Sequence, residues 1–167
     1  EAIVASKIAF EQKDRPSLVL LTRQSIPVFD RNKYPSFEEI RKGGYVMSDS
    51  SSLPEIIIIA TGSEVWVALE VKERLSDLNV RVVNIACWEL FDEQSEHYKK
   101  EVLGPLTAIR VSIEAGITLG WEHYTGLNGL NIGIDTFGES APGNDVAEHF
   151  GLTPDKITEK IRNHIKL

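Results

Sequence analysis

The chain has 167 residues, of which 42% are hydrophobic and 26% charged, and its formal net charge is -7 at pH 7. This length is enough for one domain with a substantial core and part of a second. The acidic excess argues against nucleic acid and anionic membranes as general partners. A single cysteine, Cys87, excludes an internal disulfide and fits a reducing cytosol. Because the chain begins at Glu1 and its only methionine is Met47, we expect an excised or processed piece of a longer protein.

The first elements are a helix and a strand. Residues 1–13 place Val4 and Ile8 on one side at helical spacing, and Pro16 ends that region. The apolar run at 18–22 has the length of a strand. Since one helix and one strand do not make a domain, we interpret them as the tail of a preceding α/β domain.

A linker follows at residues 25–42, where prolines and charges replace any apolar periodicity. It ends in a predicted helical turn. Ser36 and Glu39 have the spacing of a capping box, and Gly43 supplies the stop.

From Gly44 onward strands alternate with helices, which predicts a largely parallel sheet with helices on both faces. The run at 55–60 is apolar without alternation, as expected of a strand covered on both faces. The predicted strands are 45–47, 55–60, 80–86, 108–114 and 130–134. The predicted helices are 63–78, 93–103, 121–124 and two near the end, the last beginning at Thr153-Pro154.

Three strand-end segments are candidate ligand sites. The Ala-Thr-Gly-Ser-Glu turn at 60–64 opens a helix after a central strand, but Thr61 and Glu64 have capping-box spacing, and a carboxylate there would repel a phosphate. Glu-Ala-Gly at 114–116 suits a ligand at the carboxyl end of a strand and a simple helix cap equally well. The Gly- and Pro-rich loop at 138–143 is by default a connection.

Metal and hydrolase chemistry have little support. The four histidines lack partners at metal-ligand spacing, and neither Ser63 nor Ser140 lies in a nucleophile elbow. Arg23 differs from these residues because it directly follows the first apolar strand, where a guanidinium can form bidentate hydrogen bonds with a phosphate in a cleft. By its residue type alone it is a solvated loop arginine.

Six segments, in order and at fitting spacing, are similar to the C-terminal part of transketolase. They are Leu-Thr-Arg-Gln-Ser-Ile-Pro (21–27), Lys-Gly-Gly-Tyr-Val-Met-Ser-Asp (42–49), Ile-Ala-Thr-Gly-Ser-Glu-Val (59–65), Trp-Glu-Leu-Phe-Asp-Glu-Gln (88–94), Glu-Ala-Gly-Ile-Thr-Leu-Gly-Trp-Glu-His-Tyr (114–124) and Gly-Ile-Asp-Thr-Phe-Gly-Glu-Ser-Ala-Pro-Gly (133–143). The resemblance implies that residues 1–24 are the end of the pyrimidine-binding domain and that 43–167 form the C-terminal domain. Residues 25–42 would be the linker between the two. That domain would be a three-layer α/β/α unit with a five-stranded, mostly parallel mixed sheet, whose first strand is antiparallel.

The resemblance also implies an activity. Transketolases of the pentose phosphate pathway use thiamine diphosphate and a divalent metal, Mg or Ca, at a dimer interface. They transfer a two-carbon ketol unit from a ketose phosphate to an aldose phosphate, and the cofactor supplies the carbanion chemistry. The family's cofactor and metal ligands lie upstream of Glu1, so we expect neither group on this chain and no catalytic residue in it. The functional residue that the resemblance carries over is Arg23, for the sugar phosphate, preceded by the expected Ser or Thr as Thr22.

We therefore expect a fragment of a cytoplasmic, homodimeric transketolase, inactive by itself. One alternative is a non-catalytic module for packing, dimerisation or regulatory ligand binding. Another is a different thiamine-dependent enzyme, such as a dihydroxyacetone synthase or a deoxyxylulose phosphate synthase. The segments Thr-Arg-Gln (22–24) and Trp-Glu-Leu-Phe (88–91) favour transketolase within that group. A Gly-Asp-Gly metal motif and the activating glutamate upstream would discriminate among these hypotheses.

Overall fold

A computed structural model describes residues 1–23, 25–30 and 32–166. In these residues the strands form one five-stranded mixed sheet with the order β1-β3-β2-β4-β5. β1 runs antiparallel to β3, and the other neighbours are parallel. The predicted fold class is confirmed. The strands are β1 (Gly44–Ser48), β2 (Ile56–Ala60), β3 (Val80–Ile85), β4 (Ile109–Ile113) and β5 (Leu130–Ile132).

Helices cover both faces of the sheet, which gives three layers. The α-helices are α1 (Ala2–Glu11), α2 (Glu64–Arg74), α3 (Trp88–Asp92), α4 (Glu96–Leu103), α5 (Glu122–Thr125), α6 (Gly143–Phe150) and α7 (Pro154–His164), and a 3-10 helix spans Phe37–Lys42. In the described residues, no helix combines the length and the apolar character needed to cross a membrane.

β2 explains why the strongest strand signal shows no alternation. Ile56 and Ile58 face the core under α1, α2 and α7, whereas Ile57 and Ile59 face the core under α3, α4 and α5. All four are at most 2% exposed. A strand with two buried faces needs apolar side chains at every position, so its sequence reads as a continuous run.

The strand predicted at residues 18–22 is not formed, and this part of the prediction is wrong. The segment is non-helical and pairs with no described strand, and Leu18 and Leu20 are 83% and 82% exposed. An extended segment becomes a strand only when another strand takes up its backbone N–H and C=O groups. The described sheet ends at β1 and β5 without including it.

The N-terminal helix is nevertheless attached to the sheet unit. Val4 is 4% exposed in the core beneath α1. Arg15 forms a bidentate ion pair with Glu93, with 3.0 Å between Nη2 and Oε2. Arg41 also donates to Glu11 at 2.9 Å. The chain is therefore fixed through residue 15 and is left exposed just beyond it.

Two local predictions need correction. The helix expected at 93–103 begins only at Glu96, as α4, because Ser95 caps it by accepting the Tyr98 N–H at 3.2 Å. A separate short helix that was not expected, α3, precedes it. The capping box at the 3-10 helix forms only in part. Ser36 accepts the Glu38 N–H at 3.3 Å, but the Glu39 carboxylate pairs with Lys42 instead of the backbone.

Candidate functional site at the carboxyl edge of the sheet

The parallel strands end together at one edge of the sheet, and two of the candidate segments meet there. β2 lies between β3 and β4, so the chain leaves β2 toward one side and later returns on the other. Such a reversal of strand order opens a crevice at the carboxyl ends of the strands, where α/β proteins usually bind ligands. The turn at 60–64 and the segment 114–116 follow the two strands that flank this point.

Glu64 joins these two segments. Its carboxylate accepts a hydrogen bond from the backbone N–H of Ala115 and another from the Ser63 hydroxyl at 2.9 Å. Burial raises the pKa of the Glu64 carboxyl, and the charge of Glu114 raises it further, although the hydrogen bonds oppose both effects. The predicted capping box with Thr61 is absent, because Ser63 occupies the N-cap position and forms no side-chain cap. The carboxylate therefore engages the backbone N–H of Glu64 at the start of its own helix as well as that of Ala115 in the loop after β4.

Glu114 is also held by the protein. Its Oε2 accepts a hydrogen bond from the indole N–H of Trp121 at 2.7 Å, and Trp121 is only 1% exposed. The Trp121 ring meets Trp88 edge to face, with 5.0 Å between the centroids. Both carboxylates at the crevice thus have internal donors, which favours a structural role for 114–116 over a ligand site.

The loop after β4 is joined to the loop after β5. Asp135 accepts the backbone N–H of Thr118 at 2.8 Å and also its hydroxyl. Gly116 O accepts the Ile134 N–H at 2.7 Å. A Cβ on Gly133 would lie 2.5 Å from that same carbonyl oxygen, so glycine is required for the close approach. The third candidate segment, 138–143, is exposed throughout.

Arg23, the predicted phosphate ligand, lies apart from this edge. It sits at a bend immediately after the exposed 18–22 segment and is itself exposed. No contact joins it to Glu64, Glu114 or Asp135 among the described residues. The structure therefore leaves its predicted role untested.

Metal chemistry finds no support in the part of the chain that the structure describes. There, no three His, Cys, Asp or Glu side chains are grouped so as to hold a metal ion. His123 contacts Asp92 at 3.3 Å, and His164 contacts the carbonyl oxygen of Asn128 at 3.1 Å. These single polar contacts agree with surface and capping roles.

Sequence reasoning missed the aromatic cluster below the crevice. Trp88, Phe91, Trp121 and Tyr124 pack edge to face or at a tilt. The Tyr124 hydroxyl donates to Asp92 at 3.1 Å, and burial, followed by the Asp92 charge, raises the pKa of Tyr124. The signal was available, because the Trp88–Phe91 and Trp121–Tyr124 pairs each have the three-residue spacing of one helix face.

Comparisons with known proteins identify the family. The family described as "Transketolase-like TK C-terminal domain" matches residues 43–153. The chain is 48% identical to the transketolase of Aquifex aeolicus over 163 residues, which cover 96% of this chain and 24% of that protein. It is 43% identical to the chloroplastic transketolase of Zea mays over 161 residues, covering 94% of this chain and 23% of that protein. The chain belongs to the transketolase family.

Solved transketolases share the fold. A transketolase of Pichia stipitis, solved in complex with sedoheptulose 7-phosphate, superposes with a TM-score of 0.87 at 32% identity. The superposition covers 97% of this chain and 23% of that one. The chain therefore spans about a quarter of the length of the transketolases that it matches.

Proposed function

We propose that the chain is the C-terminal part of a transketolase that transfers a two-carbon ketol unit from a ketose phosphate to an aldose phosphate. The observation that carries the proposal is the 48% identity to a transketolase along 96% of the chain. The full-length protein would be a cytoplasmic homodimer of the pentose phosphate pathway. Within the chain, residues 1–24 would complete the preceding pyrimidine-binding domain, 25–42 would link, and 43–167 would be the C-terminal domain.

Thiamine diphosphate and a divalent metal, Mg or Ca, would be cofactors of the full-length enzyme. The described residues do not fit either group, because they include no cluster of metal ligands and the strand-end carboxylates are occupied by internal donors. Titration calorimetry of the chain with thiamine diphosphate and Mg should show no saturable binding. Micromolar binding would contradict the assignment of the cofactor site to other parts of the protein.

Arg23 would bind the phosphate of the sugar substrate in the full-length enzyme. It follows an exposed apolar run that needs a partner sheet, so pairing of that run would fix the arginine at the end of a strand. A charge-assisted contact with phosphate contributes about 1.5–3 kcal/mol. We therefore expect Arg23→Ala to lower kcat/KM for a ketose phosphate about ten- to a hundredfold. Lysine at this position should restore only part of the loss, since it lacks the planar fork.

An unphosphorylated donor, hydroxypyruvate, is the internal control. It offers no phosphate to the guanidinium, so its kcat/KM should change little in the Arg23→Ala enzyme, and the affinity for thiamine diphosphate should be unchanged. The measurement is the ratio of kcat/KM for the two donors in wild type and variant. An equal loss with both donors would assign Arg23 a structural role.

A second candidate function is a non-catalytic module for packing, dimer contact or regulatory ligand binding. It is favoured by the hydrogen bonds that Glu64 and Glu114 accept from the protein itself. These bonds give the carboxylates at the carboxyl edge of the sheet a structural role. Residues upstream of Glu1 discriminate between the two functions. A Gly-Asp-Gly metal motif and an activating glutamate there would support the enzyme, and their absence would support the module.

A further inference from the structure

A polar cleft of about 400 Å³ lies at the edge of the sheet opposite the strand ends described above. One wall is the loop that follows β1, and the other is the C-terminal end of α2. Leu69, Leu78 and Val80 supply apolar lining. All the remaining lining residues carry hydroxyl, amide or charged groups, namely Tyr34, Ser48, Asp49, Ser50, Ser51, Lys72, Glu73, Ser76 and Asn79.

Lys72 places a half-buried ammonium group in this cleft. Its Nζ donates to the Ser48 hydroxyl oxygen at 2.8 Å and to the Asp49 carbonyl oxygen. The Asp49 carboxylate is engaged by Arg81, at 2.7 Å to Nε and 3.0 Å to Nη2. Among the described residues, no carboxylate pairs with Lys72. Since an ammonium group has three N–H donors, one donor is left for a ligand.

Burial lowers the pKa of Lys72, and the charge of Asp49 offsets only part of that effect. A half-buried cation that lacks an anionic partner is less stable than one that has such a partner. An anion in the cleft would supply it.

Further donors line the same cleft. The hydroxyls of Ser76 and Tyr34 form no hydrogen bond with any described residue, and Ser51 Oγ lies 3.5 Å from Asn79 Oδ1, at the limit for such a bond. Hydroxyl groups around an ammonium suit a ligand with several acceptor oxygens. Glu73 opposes an anion from the rim, because its carboxylate is exposed and forms no ion pair with a described residue.

We propose that this cleft binds a tetrahedral oxyanion, either inorganic phosphate or the phosphate of a small monoester, through Lys72 and the surrounding hydroxyls. The site is separate from Arg23 and from the carboxyl edge, and it does not depend on the proposed transketolase activity. The ammonium supplies charge and one N–H donor, and the Ser76 and Tyr34 hydroxyls supply neutral donors. Since the ligand would approach between Lys72 and Glu73, these two residues should affect its affinity in opposite directions.

The test is a titration of the 167-residue chain with inorganic phosphate at constant ionic strength, followed by amide chemical shifts. We expect saturable shifts at residues 48–51 and 72–79. Lys72→Met should weaken binding about ten- to a hundredfold, because it removes a charge-assisted contact. Glu73→Gln should tighten binding about two- to fivefold, because it removes a repelling charge near the surface.

Lys99→Met is the control for loss of a lysine charge outside the cleft. Lys99 also donates to a backbone carbonyl oxygen, Asp92 O at 3.2 Å, but unlike Lys72 it is paired with a carboxylate, that of Glu96 at 2.6 Å. Its loss should leave phosphate affinity unchanged. Equal weakening by Lys99→Met and Lys72→Met would indicate diffuse attraction and overturn the proposal, as would shifts that do not saturate. If Lys72→Met fails to fold, Glu73→Gln decides, and unchanged or weaker binding by that variant refutes the site. Glycerol 3-phosphate, titrated in parallel, distinguishes a monoester site from one that accepts the free ion alone.

Discussion

Gly43 is the position where a single methyl group should cost the most. Its φ is 77°, and a Cβ there would lie 2.3 Å from Phe91 N, 2.5 Å from Cys87 O and 2.7 Å from Leu90 C. All three atoms are backbone atoms around α3, so no side chain can turn aside to make room. The carbonyl oxygen of Gly43 also accepts the N–H groups of Ala86 and Cys87, which holds the end of β3 against this turn.

The free energy lost by Gly43→Ala has two parts. A non-glycine residue at positive φ costs about 1–2 kcal/mol, and forcing a group into well-packed surroundings costs about 1–3 kcal/mol more. We therefore expect a loss of about 2–5 kcal/mol. Gly62 gives the cost of positive φ without a clash, because its φ is 57° and a Cβ would meet nothing within 4 Å. The backbone cost at Gly43 is at least as large, since its ψ of -35° lies outside the left-handed helical region. Gly62→Ala should lose only about 1–2 kcal/mol.

Urea denaturation of the two variants and the wild-type chain measures both parts. The unfolding midpoint should fall in the order wild type, Gly62→Ala, Gly43→Ala, with little change in the denaturant slope. The difference between the variants estimates the steric part together with any extra backbone cost at Gly43. If Gly43→Ala is as stable as Gly62→Ala, α3 moves away at little cost, and the argument from close backbone approach is wrong.

Three further predictions concern other parts of the chain. Because burial raises the pKa of Glu64, the stabilising contribution of this residue is complete at acid pH and is lost as the pH rises through that pKa. The stability of Glu64→Gln relative to wild type should therefore increase between pH 4 and pH 7. Chemical unfolding at each pH measures this difference, and a difference that does not change with pH would contradict the argument. Arg110 donates to Leu103 O at 3.1 Å and Tyr124 O at 3.0 Å, so Arg110→Met should lose about 2–3 kcal/mol in the same assay, and an unchanged midpoint would rule out its role in holding these carbonyls. Hydrogen exchange of the monomeric chain should be slow at 56–59 and fast at 18–21, and equal protection of the two segments would refute the exposed, unpaired state of 18–21.

The sheet domain was predictable because its sequence patterns are local. A continuous apolar run predicts a buried central strand, and β2 is one. Pro154 after Thr153 predicts a helix start, and α7 begins there. The antiparallel first strand followed from the family resemblance alone, because periodicity within β1 contains no information about the direction of its neighbour.

The position of the strand-end site could be predicted from the sequence, but the contacts of its carboxylates could not. Glu64 and Glu114 lie 50 positions apart, and their shared crevice depends on the reversal of strand order at β2. The spacing of Thr61 and Glu64 predicted a capping box, yet the N-cap is Ser63, which places Glu64 at the first helical position and not at the third. The local rule failed here because the helix begins two residues later than that spacing requires.

The strand predicted at 18–22 is absent for a different reason. The sequence of this segment suits a strand, but no described strand pairs with it. Its two flanks are fixed on the sheet domain: Arg15 pairs with Glu93, and the Phe29 ring packs on Trp66 with 5.7 Å between the centroids. The described residues between them, 16–23 and 25–28, are exposed, and both ends of this stretch are already positioned. Closing a loop in advance removes part of the entropy that pairing would otherwise lose. The sheet domain would therefore favour strand formation at 18–22, and with it the placement of Arg23, through contacts that lie outside the segment itself.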